Sequence, residues 1–220
     1  MKTLYILGCA PFGLNLLMEA AEEIHGIQDF KILKNIVTKV GKEFVPLPSW
    51  TYEFFEPDQL PDIFEENAQL AISPPNARPG KIVYDYFTNC YTIQKEQFPN
   101  FIHPKAYLSP SVTIYHALQI EPHASVMSCA TLGFSVIIKR NAAIGHHVKL
   151  ADFVTINPGA IINSNVKIGT GTTIGAGAVV RDHITIGKNS IIGAGSVVVK
   201  DIPDSVVAFG NPCKVYQSSK

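Results

Sequence analysis

The chain has 220 residues, 46% of them hydrophobic, and its 18 basic and 18 acidic side chains cancel. That length and apolar content suit one large domain or two small ones, and the balanced charge argues against nucleic acid or an anionic membrane surface as partner. No uninterrupted apolar run approaches the ~20 residues of a membrane-spanning helix. Cys9, Cys90, Cys129 and Cys213 form no CxxC pair, which predicts reduced thiols in a cytoplasmic protein.

At the start, "KTLYILG" reads as a buried strand ending in Gly8, "CAPFG" as a turn, and "LNLLMEAAEEIHG" as a helix with Leu14, Leu17, Met18 and Ala21 on one side. The basic-then-apolar opening is broken at Pro11 and Gly13 and runs into an acidic helix, so it is not expected to be a cleavable signal. Strand, glycine turn and helix in that order make a mononucleotide-binding βα unit, whose helix N-terminal amides can receive phosphate. The spacing of Gly8 and Gly13 lacks the third glycine of a dinucleotide fingerprint, and residues 1–98 hold only half a doubly wound sheet. Further strands are expected at 30–36, 44–48 and 69–74, with helices near 57–67 and 78–87. The front domain, 1–98, is therefore read as α/β and Rossmann-like (βαβ).

From Ile102 the sequence changes period. Every sixth residue through Val198 is Ile, Leu or Val, seventeen in succession without an insertion. Four residues after each, the side chain is again small or aliphatic, as at Ala106, Val112, Ala124, Val136, Ala142 and Val148. Glycine often follows the aliphatic, as at Gly133, Gly145, Gly169, Gly175, Gly187 and Gly193. Period six fits neither a helix nor a simple strand. It fits a triangular coil with one hexad per face, the aliphatic pointing inward and a corner between strands, which is a parallel β-helix. Seventeen hexads make nearly six coils, roughly 25 Å of prism at the ~4.8 Å strand spacing. Residues 99–220 are accordingly read as an all-β hexapeptide-repeat domain with a short tail.

The whole-chain order, small βαβ domain, unbroken hexads and a "GNPCK" tail, resembles the sialic acid O-acetyltransferase family, which includes bacterial N-acetyltransferases of nucleotide-linked amino sugars. The resemblance rests on "LYILGCAPFG", "AAIGHHVKLADFVTINPGA", "IGAGSVVVKDIP" and Gly210-Asn211-Pro212. It implies a left-handed β-helix, a homotrimer with its active site in the cleft between two prisms, and acetyl-CoA as cosubstrate with no metal. It also implies a front domain that holds a nucleotide-sugar for surface-polysaccharide (lipopolysaccharide) biosynthesis. Laid on the chain, the family pattern puts the general base at His146 and, where relatives often carry Asp or Glu, His147 as a base-tuning neighbour. An unperturbed imidazole pKa of ~6.5 suits proton acceptance near neutrality. A neighbouring histidine can orient it only as a neutral acceptor. The same alignment implies acyl-CoA contacts at Thr155, Ala176, Ala194 and Lys200, and substrate contacts at Gly8, Ala10, Pro11, Phe12, Gly13, Lys34 and Asn35. Thr155 stands where some relatives have histidine, Lys139 where they often have Asn, and Lys34 and Asn35 where they commonly place Asp against the nucleotide. A Lys34 cation at the front-domain mouth would suit a phosphate or a sugar carboxylate.

The expected reaction is N-acylation of a nucleotide-linked amino sugar by direct attack on the thioester. The alternatives are O-acetylation of a sugar hydroxyl and a non-catalytic sugar-nucleotide binding module. Trimeric γ-class carbonic anhydrases, the metal-dependent alternative on such a prism, use two histidines five residues apart on one chain, and this chain has no such pair. Adjacent His146 and His147 would face opposite sides of a strand, which disfavours joint ligation.

Overall fold

The computed structural model describes residues 2–36, 44–60, 68–73 and 77–218. The chain divides into two compact units, Met1–Pro75 with Pro79–Phe101, and Asn76–Arg78 with Ile102–Lys220.

In the first unit, four parallel strands, β1 (Thr3–Leu7), β2 (Asp29–Leu33), β3 (Thr51–Phe55) and β4 (Gln69–Ile72), form a sheet of order β3-β2-β1-β4. Helix α1 (Pro11–His25) follows β1 and helix α2 (Ala77–Cys90) follows β4. Helix α1 begins three residues before the expected Leu14, because Pro11 at its first position has its φ already set for a helix and no N–H to leave unpaired. Leu14, Leu17, Met18 and Ala21 pack with Leu4, Ile6, Phe30 and Ile32 into one core, as their spacing requires. The expected strand at 44–48 is absent; Pro46 and Pro48 can donate no ladder hydrogen bond, and the pairing passes to Thr51–Phe55, which sequence reading missed. Of the helix expected near 57–67, residues 61–67 lie outside the described residues.

The second unit keeps the six-residue beat in three dimensions. Seventeen two-residue strands, from Phe101–Ile102 to Val197–Val198, fall in turn onto three parallel faces of five, six and eight strands. Each strand pairs with the one eighteen residues on, as Ala143 with Ile161 and Thr155 with Thr173. The last two strands of the eight, Val206–Phe209 and the antiparallel Lys214–Ser218, close that face.

The periodic aliphatics fill the prism, and the small or aliphatic residues four positions later join them inside. They are therefore part of the core. Every sixth residue from Ala117 to Gly195 is left-handed, with φ between 55° and 71°, which turns the chain at each corner. The glycines that follow the aliphatics have a separate cause. A Cβ on Gly175 would lie 2.4 Å from the Ala194 nitrogen, and one on Gly145 2.8 Å from the Asn163 carbonyl carbon. The next coil's backbone occupies that space. Corner amides are capped from the coil above, as where Phe134 N–H donates to Asp152 at 2.8 Å and Ser164 N–H to Asp182 at 2.8 Å.

Candidate active site

Three corners run along the prism, and the expected site residues divide between them. The first corner carries Ser128–Cys129, His146–His147, Ser164–Asn165, Asp182–His183 and, above them, Lys200. The corner one face back from it carries Arg140–Asn141, Pro158–Gly159, Ala176–Gly177 and Ala194–Gly195. The six-stranded face, with Ala143, Ile161, Val179 and Val197 outermost, separates the two.

His146 and His147 occupy the turn between strands Ala143–Ile144 and Lys149–Leu150. The expectation that they face opposite sides, as on a strand, is corrected by this placement. His147 takes φ 57°, a conformation histidine tolerates better than most side chains, and this swings its ring round to its neighbour. The two Nδ1 atoms lie 3.0 Å apart, with the rings edge to face at 89°. The backbone fixes the turn from both sides: His147 N–H donates to the Ser128 carbonyl, and the His146 carbonyl accepts from Asn165 N–H, each at 3.0 Å. Both imidazoles are exposed. Among the described residues, no group of three or more His, Cys, Asp or Glu side chains is placed to hold a metal ion.

Thr155 lies on the eight-stranded face that adjoins the Ala176 corner, 1% exposed, and its hydroxyl has no hydrogen-bond partner. Ala176 and Ala194 are exposed at stacked turns, each followed by a left-handed glycine whose missing Cβ would meet nothing within 4 Å. Within one chain the structure thus brings Thr155 and the alanines to one side and leaves His146 and Lys200 a face away. Lys139 is half-buried; burial pulls its ammonium below the usual lysine range, with Glu121 opposing and Arg140 reinforcing that shift.

In the first unit, Gly8, Lys34, Glu56 and Ser73 each directly follow a strand, so all four stand along the carboxyl edge of the sheet. Gly8 is required there: its φ is 87°, and a Cβ would come 2.1 Å from the Ser73 carbonyl oxygen. Ala10 caps α1 without a side-chain hydrogen bond, and its carbonyl accepts from Gly13 N–H at 2.8 Å. The side chains of Pro11 and Phe12 are outside the described set, and Asn35 is half-buried. Lys34 is 5% exposed and its ammonium pairs with the Glu56 carboxylate, so the charge expected to meet phosphate is already answered by a neighbour. Glu56 Oε2 and Ser73 Oγ are buried with no hydrogen-bond partner. Burial pushes the Cys9 thiol up, Lys34 pulls it down and Glu56 adds to the rise. The sequence did not single out Glu56 or Ser73; the signal was their position, one residue past a strand.

The family "Bacterial transferase hexapeptide (six repeats)" matches residues 165–200. Among solved structures, the acetyltransferase domain of PglB from Neisseria gonorrhoeae FA1090, in complex with acetyl coenzyme A, is similar over 98% of this chain and 99% of its own, at 25% identity and TM-score 0.77. The chain is an acyltransferase with hexapeptide repeats. The acyltransferase also shares its fold with the H141N mutant of perosamine N-acetyltransferase from Caulobacter crescentus in complex with CoA and GDP-perosamine (24% identity, 99% and 98% covered, TM-score 0.78). A third similar structure is WeeI from Acinetobacter baumannii AYE (20% identity, 98% and 100% covered, TM-score 0.79). A comparison with curated protein sequences found no match.

Proposed function

We propose that this acyltransferase moves the acetyl group of acetyl-CoA to the amino group of a nucleotide-linked sugar, with His146 as general base. The acceptor nitrogen attacks the thioester carbonyl carbon while His146 takes its proton; the C–S bond breaks, and the proton passes to the departing CoA thiolate. General-base catalysis of this kind contributes roughly 10²–10⁴-fold.

The observation that carries the reading is an imidazole pair held on an exposed corner of a hexapeptide prism. The acetyl-CoA complex of the similar PglB domain supports the donor. Two copies are needed on this reading, because a face of roughly 15–20 Å of strand separates His146 from the Ala176–Ala194 corner of its own chain. A base from one prism facing the acyl-CoA corner of the next satisfies both, and a closed homotrimer of left-handed prisms provides three such seams. The front unit is Rossmann-like on this reading and takes the nucleotide-sugar at the carboxyl edge of its sheet, where the order reverses between β1 and β4. Its product serves cytoplasmic synthesis of a surface polysaccharide.

The test is to incubate the protein with acetyl-CoA and a panel of nucleotide-linked amino sugars and to follow free thiol. His146→Ala should lose at least about 100-fold in kcat. Retention of more than about a tenth of the rate removes His146 from the role.

A further inference from the structure

We infer that His147 is a positioning residue that fixes the tautomer of the base. It receives the His146 Nδ1–H on its own Nδ1 and so leaves the lone pair of His146 at Nε2. The inference rests on His146 being the general base and concerns how this chain, with no carboxylate at position 147, readies that base.

Between two nitrogens 3.0 Å apart there is room for one proton. A neutral pair therefore has two arrangements. With the proton on His146 Nδ1, its Nε2 is free to accept; with the proton on His147 Nδ1, His146 carries its hydrogen on Nε2 and cannot act as a base. A carboxylate in that place can only accept and would enforce the first arrangement at any working pH. An imidazole enforces it only while neutral. When His146 Nε2 takes the substrate proton, the imidazolium still donates through Nδ1, so His147 also holds the charged intermediate state. A proton gained by His147 moves the shared hydrogen onto its own Nδ1 and leaves His146 protonated at Nε2, unable to act as a base; only a second proton puts two N–H groups face to face.

Among the described residues, those stacked directly on the pair carry no fixed negative charge. The groups stacked on the pair are Ser128 and Cys129 in the coil before and Ser164 and Asn165 in the coil after, with Lys149 on the strand that follows. Asp182 and His183 come two coils on, and Asp182 already accepts from Ser164 N–H at 2.8 Å.

Two substitutions separate the acceptor from the backbone. Asn adopts the same left-handed slot at Asn141, Asn165 and Asn189, and its carbonyl accepts a hydrogen bond. Gly adopts it without strain and accepts nothing. His147→Gly should lower kcat by about 10- to 100-fold with the KM for acetyl-CoA unchanged, whereas His147→Asn should stay within about threefold of wild type. Equal kcat for the Gly and Asn variants overturns the inference while leaving the base assignment in place. The tautomer itself is read without substrate, from ring ¹⁵N shifts of the full-length protein labelled on histidine. His146 should be the Nδ1–H form and His147 the Nε2–H form; the reverse overturns the inference. If those forms are found and no nucleotide-linked amino sugar is acetylated, the proposed function has failed and the tautomer assignment stands.

Discussion

Gly177→Ala puts the acyl-CoA corner to the test with the addition of one methyl group. Gly177 has φ 65°, and a Cβ there meets nothing within 4 Å, so the protein itself offers the methyl no clash. The conformation is also one this fold tolerates with a side chain present: eleven non-glycine residues among those described take φ between 54° and 62°. The strain cost is then about 1 kcal/mol, or a fall in Tm of roughly 2–4 °C for a chain of this size. If the acyl donor lies along Ala176 and Ala194, the methyl projects into it, and the KM for acetyl-CoA should rise by about tenfold, equivalent to ~1.4 kcal/mol of binding. Asn189→Ala, left-handed at φ 55° on a different corner, supplies the control with the same backbone demand. The assay pairs thiol release over a range of acetyl-CoA concentrations with thermal unfolding of each variant. A Gly177→Ala protein with the expected fall in Tm but an unchanged KM would show that the donor lies elsewhere.

Gly175→Ala should destabilise far more than Gly177→Ala, by about 3 kcal/mol, because its Cβ meets the backbone of the next coil at 2.4 Å; equal Tm values for the two variants would contradict the packing argument. Ile156→Ala empties a position with no exposure in the prism core and should cost about 2–5 kcal/mol, measured by chemical unfolding. Glu56→Ala removes the carboxylate paired with the Lys34 ammonium, itself 5% exposed, and should cost the front unit about 2–3 kcal/mol, with recovery in a Lys34→Met, Glu56→Leu double variant. Glu22 accepts from Gln28, from the Trp50 indole N–H and from Ser49, and these hydrogen bonds hold its carboxyl below the usual range. A depressed carboxyl contributes stability above its unfolded value and loses it as pH falls through the folded one. Fluorescence of Trp50, the single tryptophan, should therefore report a urea midpoint that falls between about pH 5 and 3, and by less in Glu22→Gln.

The prism was legible because its cause is strictly local and repeated. A six-residue beat of aliphatics forces a three-sided coil, since no other backbone path returns each of them to a shared interior. The front unit was less so. Strands β1, β2 and β4 declare themselves by composition, whereas Thr51–Phe55, with three of its five residues exposed and none buried, pairs because Asp29–Leu33 presents an unfilled edge. That edge is not visible in the five residues themselves. His146 is proposed from its register and flanking pattern, but the meeting of its ring with His147 depends on a corner dihedral that no residue type at 147 announces.

By itself, then, the sequence determined the period, the inward set and the turn positions, because each is a property of neighbours within six residues. Only the tertiary structure decided what lies a coil or a strand away. It made Gly175 glycine for the sake of Ala194, matched Lys34 to Glu56 across 22 positions, and put His146 and the Ala176 corner on opposite sides of one face. Those relations arise from closure of the chain upon itself, and closure is fixed by burial of the whole core at once.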